Sequence, residues 1–121
     1  MQHAAQTYDA VAKRTAKPRE VEADLLLTAA ARLQAIQDSW DAKWSELDAA
    51  LFYNRRLWSI FVSSATSPDN PLPAGIRQNV ANLGLFVFNH TLSILADPRP
   101  EGLGLLININ RELAAGLLAR N

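Results

Sequence analysis

Proline occurs at only three places in this 121-residue sequence, and those places limit the chain to a few helical segments. Pro18 stands near the start, three prolines fall within residues 67–73, and Pro98 and Pro100 stand close together. Because proline lacks the amide hydrogen that a helix interior needs, a helix begins at such a position far more readily than it continues through one. We therefore predict a helix start at Pro18, a loop over residues 67–73 and a break at residues 97–100.

Between these breaks, apolar residues recur every three or four positions, which is the spacing of one face of an α-helix. The first helix is predicted to face inward with Val21, Leu25, Ala29, Leu33, Ile36 and Trp40. A second helix is predicted to begin near Ser45 and to face inward with Leu47, Leu51, Asn54, Leu57, Trp58, Phe61 and Ala65. The spacing leaves open whether residues 38–43 interrupt the chain or continue the first helix.

The segment from about Ala74 to Leu95 is apolar on most of its sides. One face consists of Ile76, Val80, Leu83, Val87, His90 and Ile94, and another consists of Leu85, Phe88, Leu92 and Leu95. A helix this apolar either lies at the centre of the core or exposes a docking surface. The sequence does not decide which of its faces is the core and which the docking surface.

The last helix is predicted to face inward with Leu106, Ile109, Leu113 and Leu117. No segment of useful length alternates between apolar and polar residues, as a half-buried β-strand does. We therefore predict an all-α fold, a small irregular bundle of about four to five helices. A single domain is expected over residues 1–121, with residues 1–17 as a mobile or frayed N-terminal arm.

Composition narrows the classes of function. Twelve Lys and Arg balance twelve Asp and Glu, whereas a nucleic-acid binder usually has a basic excess, so a nucleic-acid partner is not expected. The sequence has no cysteine, which excludes disulfides and Cys-ligated metals. Residues 1–27 lack the pattern of a secretory signal, and no apolar run approaches the roughly 20 residues of a membrane span. A cytoplasmic protein with no membrane association is expected.

No arrangement of residues predicts catalysis. His3 and His90 are far apart in the sequence and have no carboxylates at ligand spacing. His90 lies on an apolar helix face, which favours a hydrogen-bonded core histidine over a metal ligand. No serine stands in a nucleophile elbow, and Gly102 and Gly104 match no phosphate-binding loop. We therefore expect a protein that is not an enzyme and needs no cofactor, metal or small-molecule substrate.

Two local features suggest binding to another macromolecule. Asn54, Arg55, Arg56, Leu57 and Trp58 are consecutive, and Arg and Trp are enriched at interface hot spots. The segment is therefore either a recognition surface or a core pair, Leu57 and Trp58, with two solvated arginines beside it. The second feature is a basic cluster near the N-terminus, formed by Lys13, Arg14, Lys17 and Arg19. Such a cluster is usually a solubilising arm, and the alternative is contact with phosphate groups.

A series of short segments, spread over most of the sequence, resembles the motifs of one known family. The series begins at Tyr8 and Thr15, with residues 18–22, and the resemblance is clearest over residues 54–59 and Phe61. It continues through residues 70–73, 76–77, 83–87 and 89–91, and it closes with residues 106–111 and 116–117. The segments occur in order and with similar gaps, and together they resemble the FlaF family of flagellar biosynthesis regulators. Three positions depart from the family pattern, which usually has Trp at Phe86, a basic residue at Asn89 and Asp at Asn108.

The resemblance implies a protein that promotes flagellin production and export in alphaproteobacteria, alongside FlbT, a regulator that restrains flagellin translation. The preferred mechanism is a cytoplasmic export chaperone that binds the amphipathic terminal helices of flagellin. The alternative is a post-transcriptional regulator that binds FlbT or the flagellin mRNA. The neutral charge and the apolar 74–95 helix favour the chaperone, because an amphipathic helix docks in an apolar groove. Six candidate partner-binding residues follow: Asn54, Arg55, Arg56, Trp58, Phe86 and Asn89.

Overall fold

A computed structural model describes residues 18–119, and it confirms the all-α bundle. The helices are α1 (Pro18–Asp38), α2 (Trp40–Lys43), α3 (Leu47–Ala65), α4 (Ala74–Ala96) and α5 (Leu103–Leu118), with 3₁₀ turns at Trp44–Glu46 and Pro100–Gly102. No β-strand occurs over residues 18–119. The arm expected over residues 1–17 lies outside the described residues.

The two later proline clusters mark helix boundaries, as predicted. Helices α3 and α4 are separated by residues 66–73, and α4 ends at Ala96. The helix start predicted at Pro18 lies at the edge of the described residues and stays a prediction. The sequence left open whether residues 38–43 continue the first helix. They interrupt it, because α1 ends at Asp38 and the short helix α2 starts two residues later. The backbone of Ser39 has ψ near 50°, outside the helical range, and this residue redirects the chain.

The loop between α3 and α4 is tied to the end of α3 by side chains. Asn70 Nδ2 donates to Ser64 O at 3.1 Å, and Arg77 Nε donates to Ala65 O at 2.9 Å. Arg77 also donates through Nη2 to Ser67 O at 3.0 Å. These donors bind carbonyls near the end of α3, the part of a helix whose carbonyls have no partner within the helix. The loop therefore holds α3 and α4 together as an antiparallel hairpin.

The four long helices form two pairs. Helix α1 packs most extensively on α5, α3 packs most extensively on α4, and α1 also packs on α3. Helices α4 and α5 contact each other much less. The core lies where the two pairs face each other, and Trp58 is its largest fully buried side chain.

The inward face predicted for α3 is confirmed, because all seven of its residues are buried. The face predicted for α1 is only half right. Ala29, Leu33 and Ile36 are buried, but Val21, Leu25 and Trp40 are half-buried. The remaining buried positions of α1 are Ala23, Leu26 and Ala30. Because α1 contacts both α5 and α3, its buried stripe is wider than one apolar row, and alanines let the neighbouring helices approach closely.

The two faces of α4 now have distinct environments. Its buried residues are Val80, Gly84, Val87, Thr91 and Ile94. Leu85, Leu92 and Leu95 are exposed, so their face is the one turned away from the core. Among the described helices, α4 is the one with the length and apolar composition that a membrane span requires, and its inner side is part of this core.

Candidate partner-binding surfaces

A hydrogen-bonded polar cluster lies at the centre of the core. Trp58 Nε1 donates to Asn110 Oδ1 at 2.9 Å, and Asn110 Nδ2 donates to Asn54 Oδ1 at 2.7 Å. Asn110 Nδ2 also lies 3.4 Å from Leu26 O. All three side chains are fully buried, and Asn54 Nδ2 alone has no hydrogen-bond partner. The cluster joins α1, α3 and α5 through one carboxamide, that of Asn110.

This cluster changes the interpretation of two candidate partner-binding residues. Asn54 and Trp58 are inaccessible to solvent, so a partner cannot touch them in this fold. They hold the core together, because a buried indole N–H and a buried carboxamide require internal partners. Arg55 and Arg56 are exposed and remain available to a partner. The segment 54–58 thus carries core residues on one side of α3 and two arginines on the other.

Gly84 explains how closely α3 and α4 approach. A Cβ built on Gly84 would overlap the Cγ2 methyl of Val62 and would lie 3.7 Å from the indole of Trp58. A larger residue at position 84 would therefore push α4 away from α3. Gly84 lies in a segment that carries the family resemblance, and the structure gives it a packing role.

An apolar groove separates α4 from α5 at one end of the molecule. The two helices are joined at the other end, where His90 Nε2 donates to Gly102 O at 2.8 Å. Away from that contact they diverge and enclose a volume of about 250 Å³. We call this cleft the α4–α5 groove; its lining residues are Ile76, Asn79, Leu83, Ile109, Glu112, Leu113, Gly116 and Leu117.

Phe86 extends the α4 wall of this groove. Asn79, Leu83, Phe86 and His90 follow one another at steps of four, three and four residues, so they share one side of α4. The Phe86 ring stacks on the His90 ring with centroids 5.5 Å apart, and 43% of Phe86 is exposed. Phe86 is therefore an accessible aromatic residue beside the groove. Asn89 is exposed on a different side of α4.

Sequence reasoning missed the groove itself. Ile109 and Leu113 were predicted to face inward and are half-buried, because α4 and α5 diverge at this end. Leu83, on the α4 face whose role the sequence left open, is also half-buried. Gly116 is the residue that could have indicated the groove from the sequence. A glycine in a helix interior costs about 1 kcal/mol relative to alanine. No atom lies within 4 Å of a Cβ built there, so packing in this fold does not require it.

Comparison with known proteins identifies the family. The model of one family, described as flagellar protein FlaF, matches residues 4–117. No curated protein and no solved structure matches the chain. The family match covers nearly the whole sequence, including the segments of the polar core cluster, both walls of the groove and the tied loop. The chain therefore belongs to the FlaF family of flagellar proteins.

Proposed function

We propose that this flagellar protein promotes flagellin synthesis and export by binding flagellin in the cytoplasm as a non-enzymatic export chaperone. The observation that carries the proposal is the α4–α5 groove, which is lined mainly by apolar side chains and open to solvent. An amphipathic helix buries its apolar face in such a groove through residues at i, i+3 or i+4, and i+7. The terminal helices of flagellin that pack inside the filament have this amphipathic character.

The dimensions of the groove suit two turns of a helix. Its α4 wall runs from Ile76 to Leu83 and its α5 wall from Ile109 to Leu117. At 1.5 Å per residue, these walls are about 11–12 Å long, the length of roughly two helical turns. Glu112 is the acidic group of the lining and is exposed, so it favours a ligand helix with a Lys or Arg next to its apolar face.

Gly116 also supports the docking of a flagellin helix in the α4–α5 groove. It lines the groove, and the space around a Cβ at this position is empty. The absence of a side chain lets the backbone of a docked helix approach α5 closely, which is a common reason for glycine on a contact face. The proposal thus accounts for a helix-destabilising residue that the packing of the fold leaves unexplained.

The test is a direct binding measurement with monomeric flagellin from the same organism and the full-length chain. We expect a soluble complex, and we expect Gly116→Phe to weaken it by at least about tenfold, because the new ring would occupy the groove. Gly75→Phe is the matched control. Gly75 is also an exposed helical glycine with no atom within 4 Å of a built Cβ, and it does not line the groove. The affinity of the Gly75→Phe variant for flagellin should equal that of the parent protein.

Two results would contradict the proposal. If the parent protein forms no complex with flagellin, the chaperone mechanism is excluded. If Gly116→Phe and Gly75→Phe change the affinity for flagellin equally, the groove is excluded as the docking site. Binding to FlbT or to flagellin mRNA in place of flagellin would support the alternative, a post-transcriptional regulator.

A further inference from the structure

Two arginines and two large apolar residues share the outer side of α3. Phe52, Arg55, Arg56 and Ile60 follow one another at steps of three, one and four residues, so they lie on one side of the helix. Phe52 is 61% exposed and Ile60 is 58% exposed. The four residues and several serines line a shallow depression, and none of its described lining residues is acidic. This side of α3 is therefore both apolar and basic.

A third arginine reaches the same region from α1. The guanidinium of Arg32 lies 5.2 Å from the centre of the Tyr53 ring. Tyr53 and Arg56 are three residues apart, so their side chains are neighbours on the surface of α3. Arg32 is exposed, as Arg55 and Arg56 are. We use the name arginine face for the set Arg32, Phe52, Arg55, Arg56 and Ile60.

The positive charge of the arginine face is not neutralised within residues 18–119. No salt bridge among these residues includes any of its three arginines. Asp48 is the acidic residue of α3, and it lies seven residues before Arg55, or about 10 Å along the helix. Asp24, on the exposed side of α1, lies eight residues, or about 12 Å, before Arg32. Because charges in water are largely screened beyond roughly 8 Å, these two acids offset little of the arginine charge.

The N-terminal sequence does not supply the missing negative charge. Residues 1–17 include three bases, Lys13, Arg14 and Lys17, and one acid, Asp9. Like charges repel, so this basic segment is not a complementary ligand for the arginine face. The complementary negative charge is therefore expected from another molecule.

We propose that the arginine face binds an amphipathic helix of another protein, one that carries Asp or Glu beside its apolar residues. Its acidic residues pair with Arg55 and Arg56, and its apolar residues cover Phe52 and Ile60, which flank the arginines along α3. Phe52 and Ile60 are about 12 Å apart along the axis, which is roughly two turns of a docked helix. Asp48 sets the register, because it repels an acidic residue placed over it.

The exposed apolar residues favour a protein over a nucleic acid. A phosphate backbone pairs with arginines, and a base stacks on an aromatic ring such as Phe52. The aliphatic side chain of Ile60 gains nothing beside a charged backbone, whereas the apolar row of a helix covers it. Three arginines also provide only about three phosphate contacts, fewer than the roughly six to ten of a strong nucleic-acid binder.

The arginine face and the α4–α5 groove select ligands of opposite charge. Glu112 in the groove favours a ligand helix with a basic residue, whereas Arg55 and Arg56 favour an acidic one. The two surfaces also belong to different helices, since the groove lies between α4 and α5. The inference is therefore independent of flagellin binding in the groove.

Peptide titrations monitored by NMR of the isotope-labelled, full-length chain test the proposal. The probe is a synthetic amphipathic helix of about fourteen residues, or four turns, with leucines on one face and glutamates beside them. A second peptide has lysine at every glutamate position. We expect the acidic peptide to shift the amide signals of residues 52–63 and the basic peptide to leave them unchanged.

Charge variants identify the surface that binds the peptide. Arg56→Glu should weaken binding of the acidic peptide on the order of tenfold, because an attractive contact becomes repulsive. Arg111→Glu is the matched control, since Arg111 is exposed on α5 and donates to Gln34 Oε1 at 3.3 Å, away from α3. The control should change the affinity less than about twofold. Asp48→Asn should strengthen binding, because it removes a repulsive charge. Circular dichroism should show that all three variants remain folded.

Four results would overturn the inference. The acidic peptide does not shift the α3 signals even at about millimolar concentration. The acidic and basic peptides bind equally well, or Arg56→Glu and Arg111→Glu weaken binding equally. A uridine oligonucleotide binds the parent but not Arg56→Glu, and the acidic peptide does not bind, which would assign the face to nucleic acid. Gly116→Phe abolishes binding of the acidic peptide, which would place the peptide in the α4–α5 groove and leave the flagellin proposal intact.

Discussion

Asn110 is the residue on which the core depends most. Its carboxamide accepts from Trp58, donates to Asn54 and lies near the Leu26 carbonyl, so it contacts α1 and α3 from its position on α5. Because buried polar groups are costly without partners, this arrangement favours one specific alignment of three helices. Asn54 has one unbonded amide nitrogen and contributes less to the cluster.

We predict that Asn110→Ala lowers the free energy of unfolding by about 2–4 kcal/mol, because it leaves the Trp58 indole N–H and the Asn54 oxygen without partners in the core. Asn108→Ala is the control, since Asn108 is exposed two residues earlier on the same helix. Its effect should be within about 0.5 kcal/mol. Urea denaturation measures both. Equal destabilisation by the two variants would mean that the cluster does not stabilise the fold.

Glu22 provides a pH-dependent test of the same kind. Burial raises the pKa of the Glu22 carboxyl above its ordinary value of 4.5, and the nearby Arg19 opposes part of that rise. The folded protein therefore binds this proton more tightly than the unfolded chain does. Ionisation of Glu22 consequently lowers the free energy of unfolding as the pH rises from 4.5 through the folded-state pKa.

Glu22→Gln should remove the decrease in the free energy of unfolding that ionisation of Glu22 causes. We expect the variant to be more stable than the parent above that pH window and equally stable below it, where Glu22 is protonated in both the folded and the unfolded state. Urea denaturation at one pH on each side of the window is sufficient. A stability difference that is the same at both pH values would show that ionisation of Glu22 is not its cause.

At the scale of the helices, replacing either of two glycines by alanine should change the free energy of unfolding, in opposite directions. Gly84→Ala should lower the free energy of unfolding by about 1–3 kcal/mol, because the added methyl overlaps Val62 in a packed interface. Gly116→Ala should raise it by up to about 1 kcal/mol, because alanine favours the helix and nothing obstructs its Cβ. Thermal or urea denaturation measures both changes.

A second substitution tests the cause of the Gly84 effect. Val62→Ala combined with Gly84→Ala makes room for the new methyl, so the double variant should be more stable than the sum of the single effects predicts. Strict additivity would mean that the loss in Gly84→Ala does not come from its contact with Val62.

Helix boundaries and the inward face of α3 were predictable because they depend on local rules. Proline ends or begins helices regardless of tertiary context, and the buried residues of α3 recur at the three- and four-residue spacing of one helix face. The face of α1 was predicted only in part, because alanines count weakly in an apolar pattern yet pack closely between two helices. The two sides of α4 are similarly apolar in sequence, so only the pairing of α4 with α3 decides which is buried.

At the scale of the molecule, the all-α bundle followed from the sequence, but the α4–α5 groove did not. A groove results from helices that diverge, and no residue pattern within one helix records the distance to another. The candidate partner-binding residues also divide into two groups, those that are buried and those that are exposed. Trp58 and Asn54 have interface-like neighbours in the sequence, but both are buried and bonded to Asn110, whereas Arg55 and Arg56 are exposed. Phe86 is accessible beside the groove.

Calorimetric titrations at two salt concentrations and two temperatures test the proposed binding of flagellin to this FlaF-family protein through apolar contacts. Monomeric flagellin and the flagellin leader RNA are each titrated into the full-length protein. We predict flagellin binding that changes little with salt and has a negative heat-capacity change, because apolar burial dominates. Tight RNA binding that weakens by orders of magnitude as salt rises, with no binding to flagellin, would contradict the chaperone mechanism.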